Sequence, residues 1–118
     1  LLAERDERVT ALALQACDAA WADWFATYWL RLGGAALVDY AARFAGLDPV
    51  EHVGRLGGRV LFQWAGKDTF VSEATRAAYA AANPRARSLL YDDAEHQLGD
   101  RAAVDLVGFL AEQLGLDP

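Results

Sequence analysis

The sequence predicts an α/β fold built on a parallel sheet, and three observations carry that expectation. Three short apolar runs, "VTALAL" (9–14), "RVLFQW" (59–64) and "RSLLY" (87–91), are each bounded by charged residues or turn formers, as buried strands are. The stretches between them carry helical patterns and are too long for hairpins, so the strands rejoin the sheet through right-handed crossovers. A chain of 118 residues, 54% hydrophobic and 24% charged, suits one globular domain with a single core.

Each element follows from its own stretch. Residues 9–14 lie uncharged between "ERDER" and Cys17–Asp18, which fits a strand buried on both faces. From Asp18 to Leu32 the aromatic residues Trp21, Trp24, Phe25, Tyr28 and Trp29 recur three or four apart, along one helical face. Such a stripe reads either as core packing or as a cap over a binding pocket. Gly33 and Gly34 end that helix, and "AALVDYAARFAG" makes another that stops at Gly46. "DPVEHVGRLGG" then opens a helix with Asp48 as N-cap and Pro49 at its first position. The alanine-rich "VSEATRAAYAAAN" is helical and stops at Asn83, because Pro84 disfavours helical geometry in its predecessor. Asp100 caps a last helix whose Ala103, Leu106, Val107, Leu110 and Leu114 form the apolar face, with Gly115 just past its end.

Charge and composition exclude several functions. The net charge is −6 and the basic residues are scattered singly, which leaves no phosphate-neutralising surface for nucleic acid. The single cysteine, Cys17, makes neither an internal disulfide nor a cysteine metal site, and with two widely separated histidines no metal and no cofactor is expected. There is no signal peptide and no uninterrupted apolar run of ~20 residues, so no membrane association is expected and the setting is cytoplasmic. The chain holds no methionine and opens in "LLAERDERV", which reads as a piece of something longer.

Functional groups of open parallel sheets collect beyond the carboxyl ends of the strands. Asp68, in "AGKDTFVS", follows the second strand, and His96, in "YDDAEHQLGD", follows the third. Neighbouring strands are ~5 Å apart, so the carboxylate of one loop can accept a hydrogen bond from the imidazole of the other. That contact selects the tautomer of a base and stabilises the imidazolium formed when it takes a proton from a hydroxyl. Asp92, Asp93 and Glu95 compete for the acid role by proximity, and rank below Asp68 because neighbours on an extended loop point in different directions. The bland alternatives are a helix-capping Asp68 and a His96 that is an ordinary loop residue. His52, inside a predicted helix, is structural.

"VLFQWAGKDTFVS" followed by "LLYDDAEHQLGD" resembles the second half of the α/β-hydrolase fold, and "LDPVEHVGRL" is similar to the dienelactone hydrolase-like branch. The resemblance spans nearly the whole chain. It implies that residues 1–118 are the C-terminal part of an α/β-hydrolase domain, with three late parallel strands, flanking helices and a helical cap-like insertion at 18–57. It further implies Asp68 as triad acid and His96 as base, with Trp21, Trp24 and Trp29 of the insertion shaping an apolar acyl or alcohol pocket. Glu95 departs from the family, which commonly has glycine there.

The family's nucleophile sits on a G-x-S-x-G elbow, and that motif is absent. Ser72 and Ser88 lack flanking glycines, and Cys17 in "ACD" lacks them too and reads as a buried free thiol. The resemblance therefore implies a nucleophile upstream of Leu1, with "LLAERDERV" ending the helix behind the elbow. The expected function is the C-terminal half of a serine hydrolase for a carboxylic ester or related acyl bond, inactive in isolation. Its rivals are a non-catalytic module that pairs, through the open edge of the first strand, with a missing N-terminal half or with itself, and an unrelated three-strand binding domain.

Overall fold

A computed structural model describes residues 2–116, so the reading of Leu1 lies outside the described residues. The elements run α1 (Leu2–Arg5), β1 (Leu12–Gln15), α2 (Trp21–Tyr28), α3 (Gly34–Phe44), three 3-10 segments (Ala45–Leu47, Pro49–Glu51, Val53–Arg59), β2 (Val60–Ala65), α4 (Glu73–Ala82), β3 (Arg87–Tyr91) and α5 (Asp100–Leu114). The three strands make one sheet in the order β1-β2-β3, parallel throughout. This is the expected α/β architecture. Among the described residues no helix is long and apolar enough to cross a membrane.

β2 is the axis of the molecule. All six of its residues are buried, because among the described strands it alone is paired on both sides and covered on both faces. Side chains alternate along it: Val60, Phe62 and Trp64 pack with Val53, Leu56, Val71 and Tyr79 in the main core. On the opposite face the amide of Gln63, fully buried, anchors a polar chain. Gln15 Nε2 donates to Gln63 Oε1 (2.8 Å), Gln63 Nε2 donates to Tyr91 Oη (2.8 Å) and to the Ala102 carbonyl (2.7 Å), and Tyr91 Oη donates to Asp105 Oδ2 (2.8 Å). The chain ties all three strands to α5, and each group in it is satisfied, as burial demands.

Several boundaries depart from the sequence reading, some for a long-range reason and some for a local one. The first strand starts at Leu12 rather than Val9 and is half-buried rather than buried on both faces. The Val9 carbonyl is instead held by the Arg59 guanidinium (2.9 Å), and β1 is an edge. α2 is shorter than 18–32: the Asp18 carboxylate takes the Ala20 N–H and delays its start, and Arg31, with φ +55°, closes its end. Its buried face is Ala22 and Ala26, not the aromatic stripe, because the closest helix contacts admit only small side chains. Asp48 stands at the N-cap of the short 3-10 turn Pro49–Glu51 with Pro49 first, as expected, but its side chain makes no capping bond there. Its carboxylate accepts from the Ala22 N–H (3.1 Å), and the following residues form 3-10 turns broken at Gly57, whose φ of +57° suits glycine alone. Asp100 is the first residue of α5, not its cap, and α5 buries Ala102 and Phe109 while Val107 and Leu114 of the expected face stay exposed. β3 falls on the predicted residues, β2 lies one residue later than expected, and α4 is capped by Ser72, whose Oγ accepts from the Thr75 N–H.

His52 is structural, as expected: Nδ1 meets Glu4 Oε1 at 3.1 Å and Nε2 meets the Gly46 carbonyl at 2.9 Å, joining α1 to the turns before β2. Burial works against the Glu4 charge, but the His52 contact and the nearby Arg55 outweigh it and hold the carboxyl below its ordinary range.

The polar chain on Gln63 makes a stability prediction. Gln63→Leu leaves the buried Ala102 carbonyl without its donor and strips the Tyr91 and Gln15 side chains of a partner, at a cost of about 1–3 kcal/mol. Urea unfolding should show the midpoint fall with no change in slope; an unchanged midpoint would mean the network contributes nothing net.

Candidate active site

Two loops leave the carboxyl ends of β2 and β3, and their backbones are fastened together. Gly66 N–H donates to the Tyr91 carbonyl (2.8 Å) and Lys67 N–H to the Ala94 carbonyl (2.9 Å). The approach is close enough to require glycine: a Cβ on Gly66 would stand 2.5 Å from the Asp92 carbonyl oxygen and 2.6 Å from its Cα. Backbone cannot yield as a flexible side chain can, so residue 66 sets how near the two loops come.

Asp68 lies two residues further on, with its side chain 1% exposed. Oδ1 accepts from the Phe70 and Val71 N–H groups (2.8 and 3.1 Å), which fixes the carboxylate plane, and Oδ2 faces His96 Nδ1 at 2.9 Å. Burial alone raises the Asp68 pKa, but the hydrogen bond from His96 and those from the two amides win and hold it below its ordinary 3.8. An ionised Asp68 can only accept, so Nδ1 carries a proton and donates it, and in the neutral ring Nε2 keeps the lone pair. His96 sits in a turn closed by the Leu98 N–H to the Glu95 carbonyl (2.8 Å), with Leu98 at φ +60°, a costly conformation for leucine. The edge of the imidazole meets the Phe70 ring at 5.1 Å between centroids.

The rival carboxylates stand elsewhere. Asp92, Asp93 and Glu95 are exposed; Asp93 lies 3.8 Å from Lys67 Nζ, and none of the three bonds to His96. The hydroxyls of Ser72 and Ser88 are engaged, the first at the α4 cap and the second accepting from Trp64 Nε1 at 3.1 Å. Burial pushes the Cys17 thiol up, and the neighbouring Asp18 charge adds to this against a weak bond to the Gln15 carbonyl, so it is a poor thiolate.

A cleft of about 150 Å³ opens beside His96, walled by Trp21, Trp24, Phe70 and Val71, with Asp18 among its lining residues. Two of the three predicted tryptophans are there. Trp29 is not: it is the C-terminal cap of α2, 68% exposed, and stacks only on Phe25. Phe70, Val71 and Asp18 were missed. The apolar pair two and three residues after Asp68 carried a signal, since a residue whose amide orients the acid must also lie beside the histidine; Asp18 carried none, because its place depends on how α2 packs.

Two measurements follow. Asp68 contributes stability that is fully present above pH 3.8 and is lost as pH falls through its lower folded value. A carboxyl ¹³C titration should give a midpoint below 3.8, and a midpoint at or above it would contradict the hydrogen-bonded carboxylate. Gly66→Ala should cost about 1–3 kcal/mol by overpacking and separate Asp68 from His96, visible as loss of chemical-shift perturbation at His96 when Asp68 is titrated. Unchanged coupling would show that the close approach is dispensable.

Comparison with family models, with curated proteins and with solved structures finds no match, and it is the geometry of this cleft that supports a functional reading.

Proposed function

We propose that His96 and Asp68 are the base and the orienting acid of a serine hydrolase acting on a carboxylic ester or related acyl bond, and that this chain is the part of an α/β-hydrolase that supplies them. The observation that carries the reading is the 2.9 Å contact between His96 Nδ1 and a buried Asp68, with Phe70 and the cleft beside the ring. His96 Nε2 takes the proton of the attacking hydroxyl as its oxygen bonds to the acyl carbon, and the imidazolium returns that proton to the leaving oxygen. Water then repeats the sequence on the acyl-enzyme. Asp68 holds the tautomer throughout and stays ionised.

On this reading the attacking hydroxyl and the oxyanion donors come from residues outside these 118, because neither Ser72 nor Ser88 lies on a glycine-flanked elbow. Trp21 and Trp24 shape the substrate pocket; Trp29 takes no part in it. The supplying segment, or a second copy of the chain, pairs with the free edge of β1 in a cytoplasmic setting. That edge supports this: the Ala16 N–H bonds the Gln63 carbonyl, so by alternation the backbone groups of Ala13 and Gln15 point away from β2, and no charge or proline guards them. The same edge favours the second reading, a non-catalytic module that only associates.

Labelling separates the two. A fluorophosphonate probe applied to the protein expressed from its native reading frame should label a serine outside residues 1–118, and His96→Ala should slow labelling ~10³-fold or more. The 118-residue chain alone should hydrolyse p-nitrophenyl acetate no faster than background. Absence of labelling in the native protein, or labelling indifferent to His96, would overturn the hydrolase reading. In sedimentation, the chain alone should gain mass with concentration and Ala13→Pro should reduce that gain, since proline removes an outward amide while leaving the β2 ladder intact; a monomer at all concentrations would remove the edge from the account.

A further inference from the structure

The hydrolase reading uses the cleft beside His96 as an apolar pocket but leaves its charge unused. Three aromatic side chains, Trp21, Trp24 and Phe70, line a space of about 150 Å³, and among the described residues the one carboxylate lining it is that of Asp18. No lysine or arginine is among its lining residues; Lys67, on the adjacent loop, lies near Asp93 instead. We propose that this cleft binds an organic ammonium group, so that the acyl substrate of the site is an ester whose acyl or alcohol part carries that cation. The proposal rests on the hydrolase reading for the word substrate and on the cleft alone for the cation.

Aromatic faces present negative quadrupole to a cation, and several rings around one small space are the recognition chemistry of alkylated ammonium groups, which are weakly hydrated and lose little on entering. The opposite preference, for an anion at the start of α2, is cancelled on the spot. The amides of Ala20 and Ala22 are taken by the carboxylates of Asp18 and Asp48, two full charges against the roughly half charge of a helix end. The field at the cleft is thus negative, reinforced by ionised Asp68 behind His96 and by a net charge of −6. Size completes the argument, since the cleft is smaller than the ~300–1,000 Å³ of ordinary ligand sites and suits a compact headgroup.

Three ligands of one shape and different charge test it on the unmodified chain: choline, 3,3-dimethylbutan-1-ol and 3,3-dimethylbutanoate, each titrated while the indole N–H resonances are followed. Choline should bind about 5–30-fold tighter than the neutral alcohol, and the anion weakest, with shifts at Trp21 and Trp24 and none at Trp29 or Trp64. In Asp18→Asn the preference for choline should narrow to about threefold or less. Equal binding of cation and alcohol, tighter binding of the anion, or no shift at Trp21 and Trp24 would each overturn the assignment. Affinity alone is read here. A chain that binds choline at these indoles, in a native protein whose fluorophosphonate labelling ignores His96, keeps the cation site and loses the base.

Discussion

Asp68 has to be ionised and has to be buried, and the local structure follows from satisfying both. A carboxylate 1% exposed survives only where donors replace its water, and here three do: two backbone amides from the turn it begins and one imidazole from the neighbouring loop. The amides fix the carboxylate plane and the third contact fixes the ring. For that ring to arrive, the loops after β2 and β3 must run in contact, which parallel pairing of the strands permits and a glycine at 66 allows. The orientation of the His96 ring and the contact between the two loops are consequences of one desolvated charge.

The framework beneath is correspondingly stiff. β2 is buried along its length, its one large polar side chain is held by three hydrogen bonds, and the aromatic cluster of Phe62, Trp64 and Tyr79 fills the opposite face with ring centroids 5.2–5.7 Å apart. Asp68 and His96 follow the ends of β2 and β3, whereas the cleft's other wall comes from α2, a helix of eight residues whose buried residues are two alanines. The cleft therefore has one wall borne on a strand buried along its length and another on a short helix with few buried residues.

What could be read from the chain was what local chemistry determines. The Asp68–His96 contact was legible because two residues at equivalent places after adjacent parallel strands have nowhere else to meet, and β3 was legible because turn formers bound it on both sides. Three of the errors share one origin. Val9 left the strand because a guanidinium fifty residues away claimed its carbonyl, Asp48 kept its cap position but gave its carboxylate to an amide of α2, and the aromatic stripe of α2 turned from the core because alanines allowed a closer approach. None of these is visible to periodicity or to capping preference. Asp18 entered the cleft, and Trp29 stayed out, by the same route.

The tautomer of His96 tests the central claim most directly. Long-range ¹H–¹⁵N correlation of the chain with labelled histidine should show Nδ1 protonated and Nε2 bare in the neutral ring, and Asp68→Asn should release that preference. A neutral His96 protonated at Nε2 in the native chain would mean that Nδ1 does not donate to Asp68, and the base, its orientation and the role of the buried carboxylate would fall together.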